Sequence, residues 1–166
     1  QGYGGIEQVV ALLANGLTRR GHDVTLFASS GSETEADLAP PVQEAPGPEA
    51  LGDEFEVLAH VLRPYATDWG FDVVHDHTVH GTALAMVARR EPVVHTLHGP
   101  WTDASRRYYR QVHKRIGLVA ISHAQRDANS EVRYAGVVPN GIDIDAHPFR
   151  SEKDDYVVFV GRSNPD

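Results

Sequence analysis

Cysteine is absent from these 166 residues, so disulfides, thiol nucleophiles and cysteine-ligated metals are all excluded. There is one methionine, and aromatics make up only 8% of the chain. No apolar run approaches the about 18 residues that a membrane-spanning helix needs. No signal peptide or lipidation motif is visible, and a cytoplasmic location follows as the expectation. Basic residues are few: 15 Lys and Arg against 23 Asp and Glu give a formal charge of −8. That balance argues against binding nucleic acid through its phosphates. The densest basic stretch, Arg106, Arg107, Arg110, Lys114 and Arg115, reads first as a solvated helix face and second as an acceptor- or membrane-facing patch.

What is present is an alternation of short apolar strands and helical segments. Gly2-Tyr3-Gly4-Gly5 runs into a helix whose apolar face is Ile6, Val9, Val10, Leu13 and Leu17, with Gly21 as its stop. A strand is expected over 23–28, then an exposed, proline-rich loop over 29–48. A helix follows over 53–69, with a kink or break at Pro64. Further strands are expected over 71–75, 92–98, 117–121 and 134–138, and helices over 82–90, 103–115 and 124–130, the second of these capped by Asp103. The strands carry continuous Val, Leu and Ile rather than strict alternation, which marks a parallel sheet covered on both faces. The expected class is α/β, a doubly wound, mostly parallel Rossmann-like sheet. Ligands of such sheets bind beyond the carboxyl ends of the strands. A strand normally precedes a glycine loop of this kind. None precedes residue 1, and the chain reads as a piece of something larger. Residues 1–150 form the expected domain. Residues 151–166 read as a linker and the first strand, over 156–162, of a second domain.

The strand ends carry Asp76, His77, His98, Ser122 and His123, and the Gly4-Gly5 loop joins them on one rim. A glycine turn opening a helix leaves backbone N–H groups free for an anion such as a phosphate; a tight turn for close packing is the alternative. Glu7 complements the helix dipole but repels an anion placed too near. Ten histidines raise the question of a metal. His75-x-His77 with His80 could hold zinc, yet Val79 stands where a metallo-hydrolase motif would have its Asp. No metal site is assigned. His98 ends an apolar strand before Gly99-Pro100 and suits hydrogen bonding to a hydroxyl-rich ligand. Ser122 and His123 are adjacent and cannot easily form a nucleophile–base pair.

Several of these segments coincide with one family. Gly4-Gly5-Ile6-Glu7 with Arg20-Gly21-His22-Asp23-Val24 resembles the opening of family 4 glycosyltransferases, which have the GT-B fold. So do Asp72-Val73-Val74-His75-Asp76-His77, Thr96-Leu97-His98-Gly99, Ile121-Ser122, Val138-Pro139-Asn140-Gly141-Ile142-Asp143 and Phe159-Val160-Gly161-Arg162. The resemblance implies the N-terminal, acceptor-side half of a two-domain enzyme. It transfers a sugar from a nucleotide-diphospho-sugar to an acceptor hydroxyl with retention, without metal or cofactor. His98 would act beside the transferred sugar, as the catalytic histidine. Gly4 and Gly5 would approach the diphosphate and the acceptor, and Arg162 would hold the diphosphate. Asp76, His77 and Ser122 complete the expected substrate-binding set. The acceptor is expected to be a carbohydrate or small molecule, and the C-terminal domain of the same protein a partner. The chain lacks the family's donor-side lysine and Glu-x7-Glu segment, so these residues alone are expected to be inactive. The competing expectations are a non-catalytic α/β ligand-binding module, a His-ligated zinc hydrolase, and a flavodoxin-like or dinucleotide-binding domain. The last is weakened because the glycines do not form Gly-x-Gly-x-x-Gly.

Overall fold

A computed structural model describes residues 4–39, 53–88, 91–147 and 149–158. Gly2, Tyr3, the latter part of the proline-rich segment and Arg162 lie outside the described residues. Helix α1 spans Gly5–Arg19 and ends as expected at Gly21, which adopts φ 86°. The Gly21 N–H donates to the Thr18 carbonyl at 2.9 Å and the His22 N–H to that of Leu17 at 3.2 Å. This pair of bonds closes the last turn and needs a left-handed residue at Gly21, where a Cβ would be strained.

After α1 come β1 (Thr25–Leu26) and β2 (Asp37–Leu38), which pair in parallel. The expectation of an exposed loop beginning at Ser29 therefore needs correcting, because β2 lies inside that segment. Asp37-Leu38 has no apolar run to announce it; pairing with β1 creates the strand. Arg19 on α1 reaches Glu35 through Nε at 2.9 Å, and Asn15 Oδ1 accepts from Thr34 Oγ1 and the Glu35 N–H. These contacts tie the segment to α1.

Helix α2 (Glu54–Ala66) is capped by Asp53 and runs through Pro64 without a break, with Pro64 buried in its last turn. Strand β3 (Val74–Asp76), helix α3 (Val79–Ala88), β4 (Val93–Thr96), α4 (Asp103–Val112), β5 (Gly117–Ala120), α5 (His123–Asp127) and β6 (Tyr134–Val137) follow. The four strands β3–β6 form one all-parallel sheet in sequential order, separate from the β1–β2 pair. The described strands thus make two parallel sheets rather than one. Helix α3 begins at Val79, earlier than expected, because the Thr78 hydroxyl accepts from the Gly81 N–H at 2.9 Å and starts it. Thr102, not Asp103, caps α4: its hydroxyl accepts from Ser105 N–H, and Ser105 Oγ accepts from Thr102 N–H.

The core lies between the β3–β6 sheet and helices α2–α4, formed by Tyr65, Ala85, Val93, Leu97, Tyr109, Val112, Ile116, Leu118 and Val132. Leu118 and Ala120 on β5 are fully enclosed, which fits a central strand covered on both faces. The basic residues of α4 and of the turn after it are largely tied down. Arg106 donates to the Ala128 carbonyl, Arg110 Nε to Glu131 at 2.7 Å, and Arg115 to the Met86 carbonyl at 2.8 Å. Tyr156, Val157 and Val158 are exposed and form no strand; the rest of the expected 156–162 strand lies outside the described residues. No described helix is long and apolar enough to cross a membrane.

Candidate active site

Beyond the carboxyl ends of β3 and β4 lies a cleft of about 310 Å³. Its walls are His77, Val79, the run from His95 to Trp101, Ser105, Tyr109 and, from the first turn of α1, Ile6. This is where a parallel sheet offers a ligand site, because the strands end there and the following helices begin.

Side chains alternate along a strand, and the two sides of the β3–β4 ladder do different work. On one side Asp76 and His95 are buried, at 7% and 2% exposure. The Asp76 carboxylate accepts from the Tyr65 hydroxyl on one oxygen, and from the Thr78 N–H (2.5 Å) and hydroxyl (3.0 Å) on the other. His95 Nδ1 faces it at 3.8 Å, an electrostatic rather than hydrogen-bonding distance, while its Nε2 is 2.8 Å from Tyr109 Oη. Burial pushes the Asp76 carboxyl up, but His95, Tyr65 and Thr78 outweigh it and hold the group below the ordinary aspartate range. Asp76 sits on the strand-end rim in sequence, yet its oxygens are taken by the protein itself. Gly81 is required here: a Cβ on it would run into the Asp76 carboxylate.

On the other side stand His75, His77, Thr96 and His98. His75 Nε2 is 2.8 Å from Thr96 Oγ1, and His77 Nδ1 is 2.9 Å from His98 Nε2. The rings of His75, His77 and His98 stack in series, with centroids 4.3 and 5.2 Å apart. Burial, reinforced by the neighbouring imidazoles His75 and His98, pushes His77 down to about 3. Burial, reinforced by His95, also lowers His98. Near neutral pH both rings are therefore uncharged hydrogen-bonding groups. Of the expected metal ligands, His75 turns its Nε2 to Thr96 and His77 its Nδ1 to His98. Among the described residues no group of three His, Cys, Asp or Glu could hold a metal ion.

The other expected residues are placed less centrally. Ser122 caps α5, its hydroxyl accepting from the Gln125 N–H at 3.0 Å. Gly4 is the cap of α1 and Gly5 its first residue. The Glu7 carboxylate folds back against Gly4, so the N-terminus of α1 now faces an anion of its own. Among the described residues no neighbour would meet a Cβ at Gly5, which leaves that backbone open on this side.

Gln125 is a residue that strand-end reasoning passes over. Its Nε2 donates to the carbonyls of Leu97 (3.2 Å) and Gly99 (3.0 Å), and its Oε1 accepts from the Ile121 N–H at 2.9 Å. The Trp101 indole donates to the Gln125 carbonyl at 2.8 Å. One residue thus brackets His98 from both sides. A signal existed in Ser122-x-x-Gln125, the spacing of a capping box, but it foretells a helix start and not this bridge.

The parallel α/β fold agrees with one comparison. The sequence profile of Glycosyltransferase Family 4 matches residues 3–146. The chain belongs to that family. No curated protein matches it. Membership makes glycosyl transfer the general activity, with a sugar donor and an acceptor as substrates. In this family-4 domain the cleft over β3 and β4 is the candidate active site, and His98 is the candidate group within it.

Proposed function

We propose that this domain forms the acceptor side of a retaining glycosyltransferase that uses a nucleotide-diphospho-sugar and needs neither metal nor cofactor. The observation that carries this reading is the cleft itself. It lies beyond the carboxyl ends of parallel strands, has neutral His98 on its wall, and takes Ile6 from the first turn of α1. A neutral imidazole held at a strand end suits a sugar hydroxyl, to which it can either donate or accept. The open backbone at Gly5 gives the diphosphate N–H groups and the positive end of the helix dipole. For the diphosphate to come close, the Glu7 carboxylate must swing away from Gly4, so donor binding displaces a charge already at the helix end. Departure of the nucleoside diphosphate would be stabilised by α1 and by Arg162, with the leaving phosphate oxygen taking the proton of the acceptor hydroxyl. No protein base is then required on the acceptor face. The catalytic cleft closes against the C-terminal domain of the same protein, in the cytoplasm, over a carbohydrate or small-molecule acceptor.

The test uses the full-length protein in excess chelator. Its melting temperature is recorded against UDP-, GDP-, ADP- and dTDP-sugars, and product formed with the stabilising donor is examined for its anomeric configuration. A ligand that binds the native state at 100 times its Kd adds about 2.7 kcal/mol of stability. One donor should raise the midpoint, and product should keep the donor's configuration. Inverted product removes the retaining mechanism. Loss of stability and turnover on chelation removes metal independence.

A further inference from the structure

His75 and His77 stand two residues apart along β3 and its continuation; Thr96 and His98 stand two apart along β4 and its continuation. The strands run parallel with His75 opposite Val94 and Asp76 opposite His95. Each histidine therefore reaches the neighbouring residue two positions beyond its partner in the ladder. His75 meets Thr96 at 2.8 Å, and His77 meets His98 at 2.9 Å. The same diagonal step produces both contacts, so the histidine pair is set by the register of the sheet. The ring planes of His77 and His98 lie 28° apart, as do those of His75 and His77.

A bond between two ring nitrogens has a strict proton count. A neutral imidazole carries one N–H, and its other nitrogen is an acceptor. With the proton on His77 Nδ1, the facing His98 Nε2 must be bare, and His98 then carries its proton on Nδ1. With the proton on His98 Nε2, the facing His77 nitrogen is bare and His98 Nδ1 becomes the acceptor. Two bare or two protonated nitrogens facing each other would break the contact. Choosing one ring's tautomer thus chooses the other's.

We propose that His77 is a positioning residue for His98: the one proton shared between His77 Nδ1 and His98 Nε2 fixes whether the remaining nitrogen of His98 donates or accepts. The inference rests on the reading of His98 as the group that touches the transferred sugar. A sugar hydroxyl arriving at His98 then meets a donor or an acceptor according to the tautomer of His77, so the two rings answer it together. The stacked, desolvated surroundings favour this arrangement, because they keep the rings neutral, and only a neutral ring has one donor and one acceptor. In the same way, a second group orients a metal-ligating histidine by engaging its far nitrogen.

The test reads ring nitrogen-15 shifts of the full-length protein without ligand, with His98 assigned by its loss in His98→Gln. In the native protein the tautomer ratios of His77 and His98 should be equal, because each tautomer of one ring fits a single tautomer of the other. His77→Leu, whose missing signals assign His77, should release His98 to the mixture of free histidine in water. If the leucine variant does not fold, His77→Gln replaces it, because its amide lies one bond too far out. Unequal native ratios for His77 and His98 overturn the proposal, as does a His98 ratio left unchanged by His77→Leu or His77→Gln. UDP-, GDP- and ADP-glucose are then added to the native protein. His98 shifts that none of them moves would overturn the sugar contact, while the ligand-free spectra still decide the coupling.

Discussion

The two sides of the β3–β4 ladder are made of neighbouring residues and could hardly differ more. Asp76 and His95 are sealed in with Tyr65, Thr78 and Tyr109, and the carboxylate's oxygens are occupied by hydroxyl and N–H groups of the protein. His75 and His77 flank Asp76 in sequence; with His98 they bind each other or Thr96 and include two walls of the cleft. A polar residue at a strand end is thus not by that fact a ligand group. Asp76 turns to Tyr65 and Thr78 and builds the fold, while His77 and His98 meet the cleft, which His95 and Tyr109 also line from the other side.

The largest effect should come from breaking the sealed side. Asp76→Ala leaves Tyr65, Thr78 and His95 facing an empty position and should cost about 3–5 kcal/mol. Urea unfolding monitored by circular dichroism measures it. A loss under about 1 kcal/mol would mean that Asp76 serves the substrate after all.

His98→Ala is the counterpart on the open side. It should lower kcat/KM about 100-fold or more, with a change in stability under about 1 kcal/mol. Steady-state rates with the donor found by thermal shift, set beside the same unfolding curves, separate the two numbers. If stability falls and rate per folded molecule holds, the comparison between the two sides fails.

Acid should act on the open side first. His77 is lowered from its ordinary 6.5 to about 3, and His98 is lowered too. Such groups favour the folded state while neutral, so their contribution is complete above pH 6.5. It is lost as pH falls from 6.5 towards 3, because the unfolded chain takes up the protons. The slope from one such histidine reaches at most about 1.4 kcal/mol per pH unit. Unfolding midpoints between pH 7 and pH 4.5 should decline less steeply in His77→Asn than in the native protein. Parallel declines would show that the histidine stack does not carry the effect.

The smallest effect is expected far from both sides. Thr102→Ala removes the cap of α4 and should cost about 1 kcal/mol. It should leave kcat/KM within about twofold, because Thr102 does not line the cleft. Larger kinetic damage would mean that the position of Tyr109 and Ser105, both on α4, is more sensitive to the helix start than the packing suggests.

Much of this was readable in the sequence. The helix stop at Gly21, the parallel sheet and the placement of His98 at a strand end all follow from spacing and apolar runs. Period-two alternation alone also puts Asp76 on the opposite side from His75 and His77, although a common rim invites reading them together. Other features depend on pairings between distant segments. Strand β2 exists because Asp37 and Leu38 meet Thr25 and Leu26, and no local propensity announces it. The split into two sheets is a matter of neighbours rather than of composition. The His77–His98 bond needs the register of two strands 21 residues apart, and Gln125 acts through carbonyls of a loop 26 and 28 residues earlier.

Gln125 also has a mechanical meaning. Its side chain clamps the backbone on both flanks of His98 while its own backbone belongs to α5 and holds Trp101. The turn carrying His98 and the helix after β5 consequently behave as one lever. A load applied to the exposed end of α5 reaches the turn that carries the imidazole through this one side chain, without passing through the sheet.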